Sequence, residues 1–168
     1  MGRAACGGAA PGLAEVRKFF EDRVAGWDTK DGKPRWDTEV VATAVALAVN
    51  DAQTSGKLHP LTRQALDRMW TLQQANGAWN WLKCDWPPME HDDYFGATYA
   101  AVGIGTAPEG YAKADSAQEG LAKLRKYLKD TPPPDLHHKT MLLWASTKLD
   151  GLLSPAERDA TVKELLAL

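Results

Sequence analysis

Cysteine is nearly missing from this chain: Cys6 and Cys84 are the only two in 168 residues, and they form neither a C-x-x-C pair nor a disulfide framework. An excess of charge of one sign is missing too. Lys and Arg number 20 against 22 Asp and Glu, a net charge of -2, so there is no basic footprint and no nucleic acid is expected as a partner. Long apolar runs are absent: Val40 to Val49 and Gly96 to Gly105 fall short of the roughly 20 residues a bilayer-spanning helix requires. The opening MGRAACGGAAPG lacks the apolar core of a secretory signal, so residues 1–12 are expected to be a flexible leader and the chain soluble or membrane-peripheral. No C-x-x-C-H segment occurs, which leaves no expectation of haem or of any other cofactor. Nor does an alternating strand pattern appear anywhere.

What remains is helical periodicity. A content of 44% hydrophobic and 25% charged residues suits one globular domain, expected over residues 13–168. Leu13, Val16, Phe19, Phe20 and Val24 predict an amphipathic helix between Pro11 and Trp27. Thr38 to Asn50 is apolar nearly all round and predicts a helix buried on most sides, capped by Asp37 or Thr38. Pro60 opens an outer helix with the stripe Leu61, Ala65, Met69 and Leu72. A second inner helix is expected over His91 to Gly105, with Gly103 and Gly105 weakening its end. Ser116 to Lys129 predicts another outer helix, with Ser116 capping against Glu119, and the run Thr131 to Asp135 breaks it. Leu136 to Leu149 predicts a third inner helix carrying Met141 and Ala145, and Ser154-Pro155-Ala156-Glu157 is a capping box for a last helix. Laid side by side, LTRQALDRMWTL, AQEGLAKLRKYL and PAERDATVKELL share apolar positions, which predicts a helix-pair repeat with Leu121 and Leu124 buried.

One stretch stands apart. Residues Gln73 to Gly105 hold Trp79, Trp81 and Trp86, the pair Cys84-Asp85 and the acidic run Glu90-His91-Asp92-Asp93. Gln73, Gly77 and Trp79 read Q-x-x-x-G-x-W, which resembles the core of the QW repeat of squalene and oxidosqualene cyclases and their prenyltransferase relatives. The resemblance implies an all-α fold, an α/α-toroid-like array of inner and outer helix pairs that is incomplete, about half of a toroid. It implies that Gln73 ties a neighbouring helix end and that Trp79 packs on it. The acidic run is similar, as E-x-D-D, to the D-x-D-D of that family, with Tyr94-Phe95 where Thr-Ala is usual.

By that likeness Asp92 is the acid that protonates an alkene or epoxide, with Glu90 and Asp93 as its carboxyl neighbours, and Trp81, Trp86, Tyr94, Phe95 and Tyr99 shield a carbocation. The bland alternatives stand beside these readings: acidic residues complement a helix dipole in its first turn, and aromatics pack cores. Cys84, Asp85 and His91 do not have the spacing of the zinc ligands of protein prenyltransferases, so no metal is expected. His137-His138 reads as a surface pair at a helix start. The resemblance implies an isoprenoid or other apolar small molecule as ligand, contact with a membrane surface, and the missing toroid repeats of a longer parent chain as partners. The reading from a different class is a non-catalytic helical-repeat module that binds a protein or lipid through its concave face.

Overall fold

A computed structural model describes residues 12–82 and 92–167. Glu90, His91, Trp86, Cys84 and Asp85 therefore lie outside the described residues. The described chain is all-α, with seven helices: α1 Leu13–Gly26, α2 Asp37–Gln53, α3 Pro60–Thr71, α4 Asp93–Thr106, α5 Asp115–Asp130, α6 Leu136–Ser146 and α7 Pro155–Leu166. A single 3-10 turn, Tyr111–Lys113, links α4 to α5.

The apolar helices form a row. α2 packs on α4 and α4 on α6, while α3 covers α2, α5 touches α4 and α3, and α7 rests on α6. α2 and α4 are buried on most sides, as their near-continuous apolar sequence requires. The helices of the row start at one end of the molecule. Asp37 and Thr38 of α2 accept the backbone N–H groups of Asn80 and Leu82, Asp93 of α4 accepts that of Trp81, and Asp92 meets His138 in the first turn of α6. So neither Asp37 nor Thr38 caps α2: both lie inside the helix, behind Trp36, and hold the chain segment that leads away from Trp79.

The glycines of α4 admit neighbours and do not end the helix. A Cβ on Gly103 would stand 2.6 Å from a Val45 methyl of α2, and one on Gly105 would stand 2.4 Å from the Lys148 carbonyl after α6. The helix accordingly runs through Thr106. Close approach on both sides outweighs the roughly 1 kcal/mol that each glycine costs in propensity.

The turn after α3 fastens two flanking helices together. Gln73 Nε2 donates to the Gly77 carbonyl at 2.9 Å and to the Gly120 carbonyl of α5 at 3.0 Å. Gly77 adopts φ 100, and a Cβ there would lie 2.2 Å from the Lys123 carbonyl oxygen, so both the backbone and the space demand glycine. Trp79 is wholly buried and donates Nε1–H to the Met69 carbonyl at 2.8 Å, satisfying a carbonyl in the last turn of α3. Beside it Trp70 lies against Gly120, where a Cβ would meet the ring at 2.3 Å. Trp70 Nε1–H donates to the Tyr111 hydroxyl at 2.9 Å, which donates to Asp67 at 2.8 Å.

Three local expectations are corrected, and one helix packs less than its pattern allows. Ser116 does not cap α5; the helix begins at Asp115 behind Ala114, and Glu119 pairs with Lys123 one turn on. The repeat is one residue out of the register drawn from sequence: the buried set Thr62, Ala65, Leu66, Met69 of α3 matches Ala117, Gly120, Leu121, Leu124 of α5. The third copy does not follow, because α7 buries no residue and leaves Val162 and Leu166 exposed, although its capping box forms. On α1 the apolar stripe is mostly bare, since among the described helices α1 packs mainly on α2 and α3: Val24 is buried, whereas Leu13, Val16 and Phe19 are exposed.

Candidate functional site

The start of α4 gathers most of the described candidate residues. Asp92 is the N-cap: its backbone is extended and its Oδ1 accepts the Phe95 N–H at 2.8 Å. That much is the ordinary use of an aspartate at a helix start. Its second oxygen is engaged elsewhere, with Oδ2 2.6 Å from Nε2 of His138.

His138 is the correction that matters most. It is 3% exposed, in the first turn of α6, not half of a surface pair; of the two, His137 is the exposed one. The break at Pro132–Pro134 delivers Asp135 as N-cap of α6, and Asp135 Oδ1 accepts the His138 backbone N–H at 3.0 Å while lying 2.7 Å from its Nδ1. The His138 N–H, then its ring, hold the Asp135 carboxyl below the usual carboxylate range. A carboxylate only accepts, so Nδ1 carries the ring proton toward Asp135, while Nε2 stands 2.6 Å from Asp92 Oδ2. The sequence signal was an N-cap Asp with His three positions on, aimed at a second N-cap Asp.

Asp93 is set apart from this chain, with Oδ1 accepting the Trp81 N–H at 3.0 Å. Of the expected carboxyl cluster, then, Asp92 faces α6, Asp93 holds the Trp81 segment, and Glu90 lies outside the described residues.

The aromatics divide into two groups. Trp81, Phe95 and Tyr99 form one, with the Trp81 ring 5.8 Å from Phe95 and 6.3 Å from Tyr99, and Phe95 stacked on Tyr99 at 6.0 Å. Phe95 also stacks on His137 at 6.1 Å. Gly96 makes room for this group, since a Cβ there would stand 2.5 Å from the Trp81 ring. Tyr94 points to the other side, edge-on to His138 at 5.8 Å and 6.2 Å from Tyr127 of α5. Burial, and after it the charges of Tyr127 and Asp92, push the Tyr94 phenol far above its ordinary range, so it stays protonated. Trp86 lies outside the described residues.

Two further features complete the survey. A recess of about 670 Å³ opens between the start of α1, the last turn of α2 and the start of α3, floored by Asp51, which pairs with Arg17 at 2.7 Å. Among the described residues no group of three or more His, Cys, Asp or Glu is placed to hold a metal ion, and no helix is long and apolar enough to cross a membrane.

The site thus sets a partly exposed carboxyl 2.6 Å from a buried imidazole, beside a wall of aromatic rings. No family model, curated protein or solved structure matches the chain.

Proposed function

We propose that this chain is a squalene-cyclase-like repeat protein in which Asp92 presents a proton to an apolar isoprenoid lying against Trp81, Phe95 and Tyr99. The observation that carries the reading is the line Asp92–His138–Asp135, joining the starts of α4 and α6 through contacts of 2.6 and 2.7 Å. Asp135 orients the ring and fixes Nδ1 as the donor, so the one proton held between Nε2 and Asp92 Oδ2 is the proton Asp92 delivers, leaving an Asp92 carboxylate beside a neutral imidazole. Protonation of an alkene or epoxide leaves a tertiary cation, and the faces of the neighbouring rings stabilise such a charge by about 0.5–2 kcal/mol each.

The same reading takes α2/α3, α4/α5 and α6/α7 as successive inner and outer pairs of an open α/α-toroid-like arc. The missing pairs belong to a partner or to a longer parent chain, and contact with a membrane surface supplies the isoprenoid. An open arc admits water to the cation, so the 168-residue chain is expected to bind the polyene without cyclising it. Squalene should quench tryptophan fluorescence, and Phe95→Ala should weaken that binding while Asp92→Asn leaves it unchanged. No binding by the wild-type chain would sink the proposal; cyclised product that survives Asp92→Asn would remove Asp92 from the chemistry.

The second reading, a non-catalytic helical-repeat module that binds a protein or lipid, is favoured by a different observation. Both ends of the row carry bare apolar side chains, Val16 and Phe19 on α1 and Val162 and Leu166 on α7. Repeat arrays normally close such ends with polar caps.

A further inference from the structure

The large apolar side chains that meet solvent are not scattered over the molecule. Among the described residues, Leu13, Val16 and Phe19 stand on α1 and Trp36 just before α2, while Trp144 stands on α6 and Val162 and Leu166 on α7. None stands on α3, α4 or α5, so this bare surface is confined to the two ends of the row. Single exposed hydrophobics need no explanation, whereas clusters at two poles of one body mark surfaces built to be covered. Phe19 is 60% exposed and Leu166 83%. α7 rests on α6 alone and buries no residue, although α3 and α5, flanked by more neighbours, each bury a full apolar face. At the other end α1 packs on α2 and α3 with one flank and leaves the other bare. Charges without an ion-pair partner among the described residues border both ends, Glu15 and Arg35 near the first and Asp159 and Lys163 near the last, so opposite signs are available on each side of a contact.

We propose that these two ends bind each other between copies: two molecules of this chain associate head to tail, the α1 end of each seated on the α6 and α7 end of the other. α1 then lies between two helix pairs, its own α2 and α3 on one flank and the neighbour's α6 and α7 on the other. Stacking one pair on the next is how rows of helical repeats bury their faces, and here it covers both bare ends with surfaces the molecule already carries. A foreign protein or a lipid accounts for one end at a time. A contact between unlike surfaces repeats until it closes into a ring or runs on as a filament. Closure at two copies rests on the reading of the row as an open arc of about half a ring; the pairing of the ends rests on the bare residues and holds whether or not the Asp92 site takes an isoprenoid.

The experiment is analytical ultracentrifugation of the whole 168-residue chain over a wide concentration range, with Phe19→Glu and Leu166→Glu as variants. Both positions are exposed and lie outside the Asp92 site, and glutamate suits a helix, so each variant should keep the helical content of the wild type by circular dichroism. The wild type is expected to reach a dimer and stop there, and each variant to need at least about tenfold more protein to do so. Mixing the variants is the decisive step. Phe19→Glu keeps an intact α7 and Leu166→Glu keeps an intact α1, so an equimolar mixture should dimerise more readily than either variant alone. A mixture no better than its components shows that like ends meet and overturns the head-to-tail contact. A wild type that stays monomeric, a dimer indifferent to both variants, or species that keep growing as concentration rises would each overturn the closed pair. No ligand enters these measurements, so self-association and squalene binding stand or fall separately.

Discussion

The turn Gln73–Trp79 and the start of α4 are the two places where the sequence looked most unusual, and they spend their special residues differently. In the turn each residue has one structural task that nothing else could perform: Gln73 spans to Gly120, Gly77 admits the Lys123 carbonyl, and Trp79 closes α3. At the start of α4 each carboxylate has a structural task that an ordinary helix start would also need, and Asp92 has a second oxygen left for His138. The difference separates a motif that makes a fold from one that is placed on it. A residue with two partners of different kinds is the better candidate for chemistry than one whose every atom is spoken for.

The sharpest way to break that comparison is in the turn. Trp79→Ala should cost roughly 3–5 kcal/mol, because the indole is fully buried and its removal leaves a cavity and takes one of two donors from the Met69 carbonyl. Gly77→Val forces a β-branched residue into a left-handed backbone against a carbonyl, so it should also unfold the chain well below the wild-type Tm. If either variant melted like the wild type, the turn would not be structural.

His138→Ala should cost less, about 2 kcal/mol by chemical denaturation, since it removes contacts to two carboxylates that keep some access to water. Asp92→Asn should cost under about 1 kcal/mol, because asparagine is as good an N-cap as aspartate. A large stability loss in Asp92→Asn would place Asp92 with the turn residues and not with the chemistry.

The smallest effect is in the pH dependence. The folded Asp135 carboxyl sits below its unfolded value, so its stabilising share is complete above the unfolded pKa of about 3.9 and is lost as pH falls through the lower folded value. Asp135→Asn should therefore flatten the acid limb of a stability profile below about pH 4 and leave neutral pH behaviour alone. An acid limb of unchanged slope would remove Asp135 from that account.

Helix positions were largely legible because apolar spacing and proline or glycine punctuation are local signals. The capping box at Ser154 is such a case, and it forms as written. What was not legible came from long-range contacts. Gly103 and Gly105 look like helix breakers until Val45 and Lys148 are seen against them. His137-His138 looks like one polar pair, yet one member is exposed and the other buried, because Asp92, more than 40 residues earlier, arrives at Nε2. The stripe on α1 has the right period to be a core face, and only the absence of a packed neighbour among the described helices leaves Val16 and Phe19 bare. Of the site, Asp92, Phe95 and Tyr99 were read from the motif, whereas His138, Asp135 and Tyr127 required the fold.

The reach of the Gln73 side chain also orders events in time. Its partner Gly120 stands 47 positions later, and Tyr111, which receives Trp70, stands 41 positions after it. While the chain is being made, α3 can coil and collapse on α2, yet the Gln73 side chain has no α5 carbonyl to fasten to until synthesis has passed residue 120. Closing so long a loop is slow relative to forming a helix. The turn should therefore lock late, and exchange of the Gly77 and Ala78 amides should become protected together with those of α5 and not with those of α3.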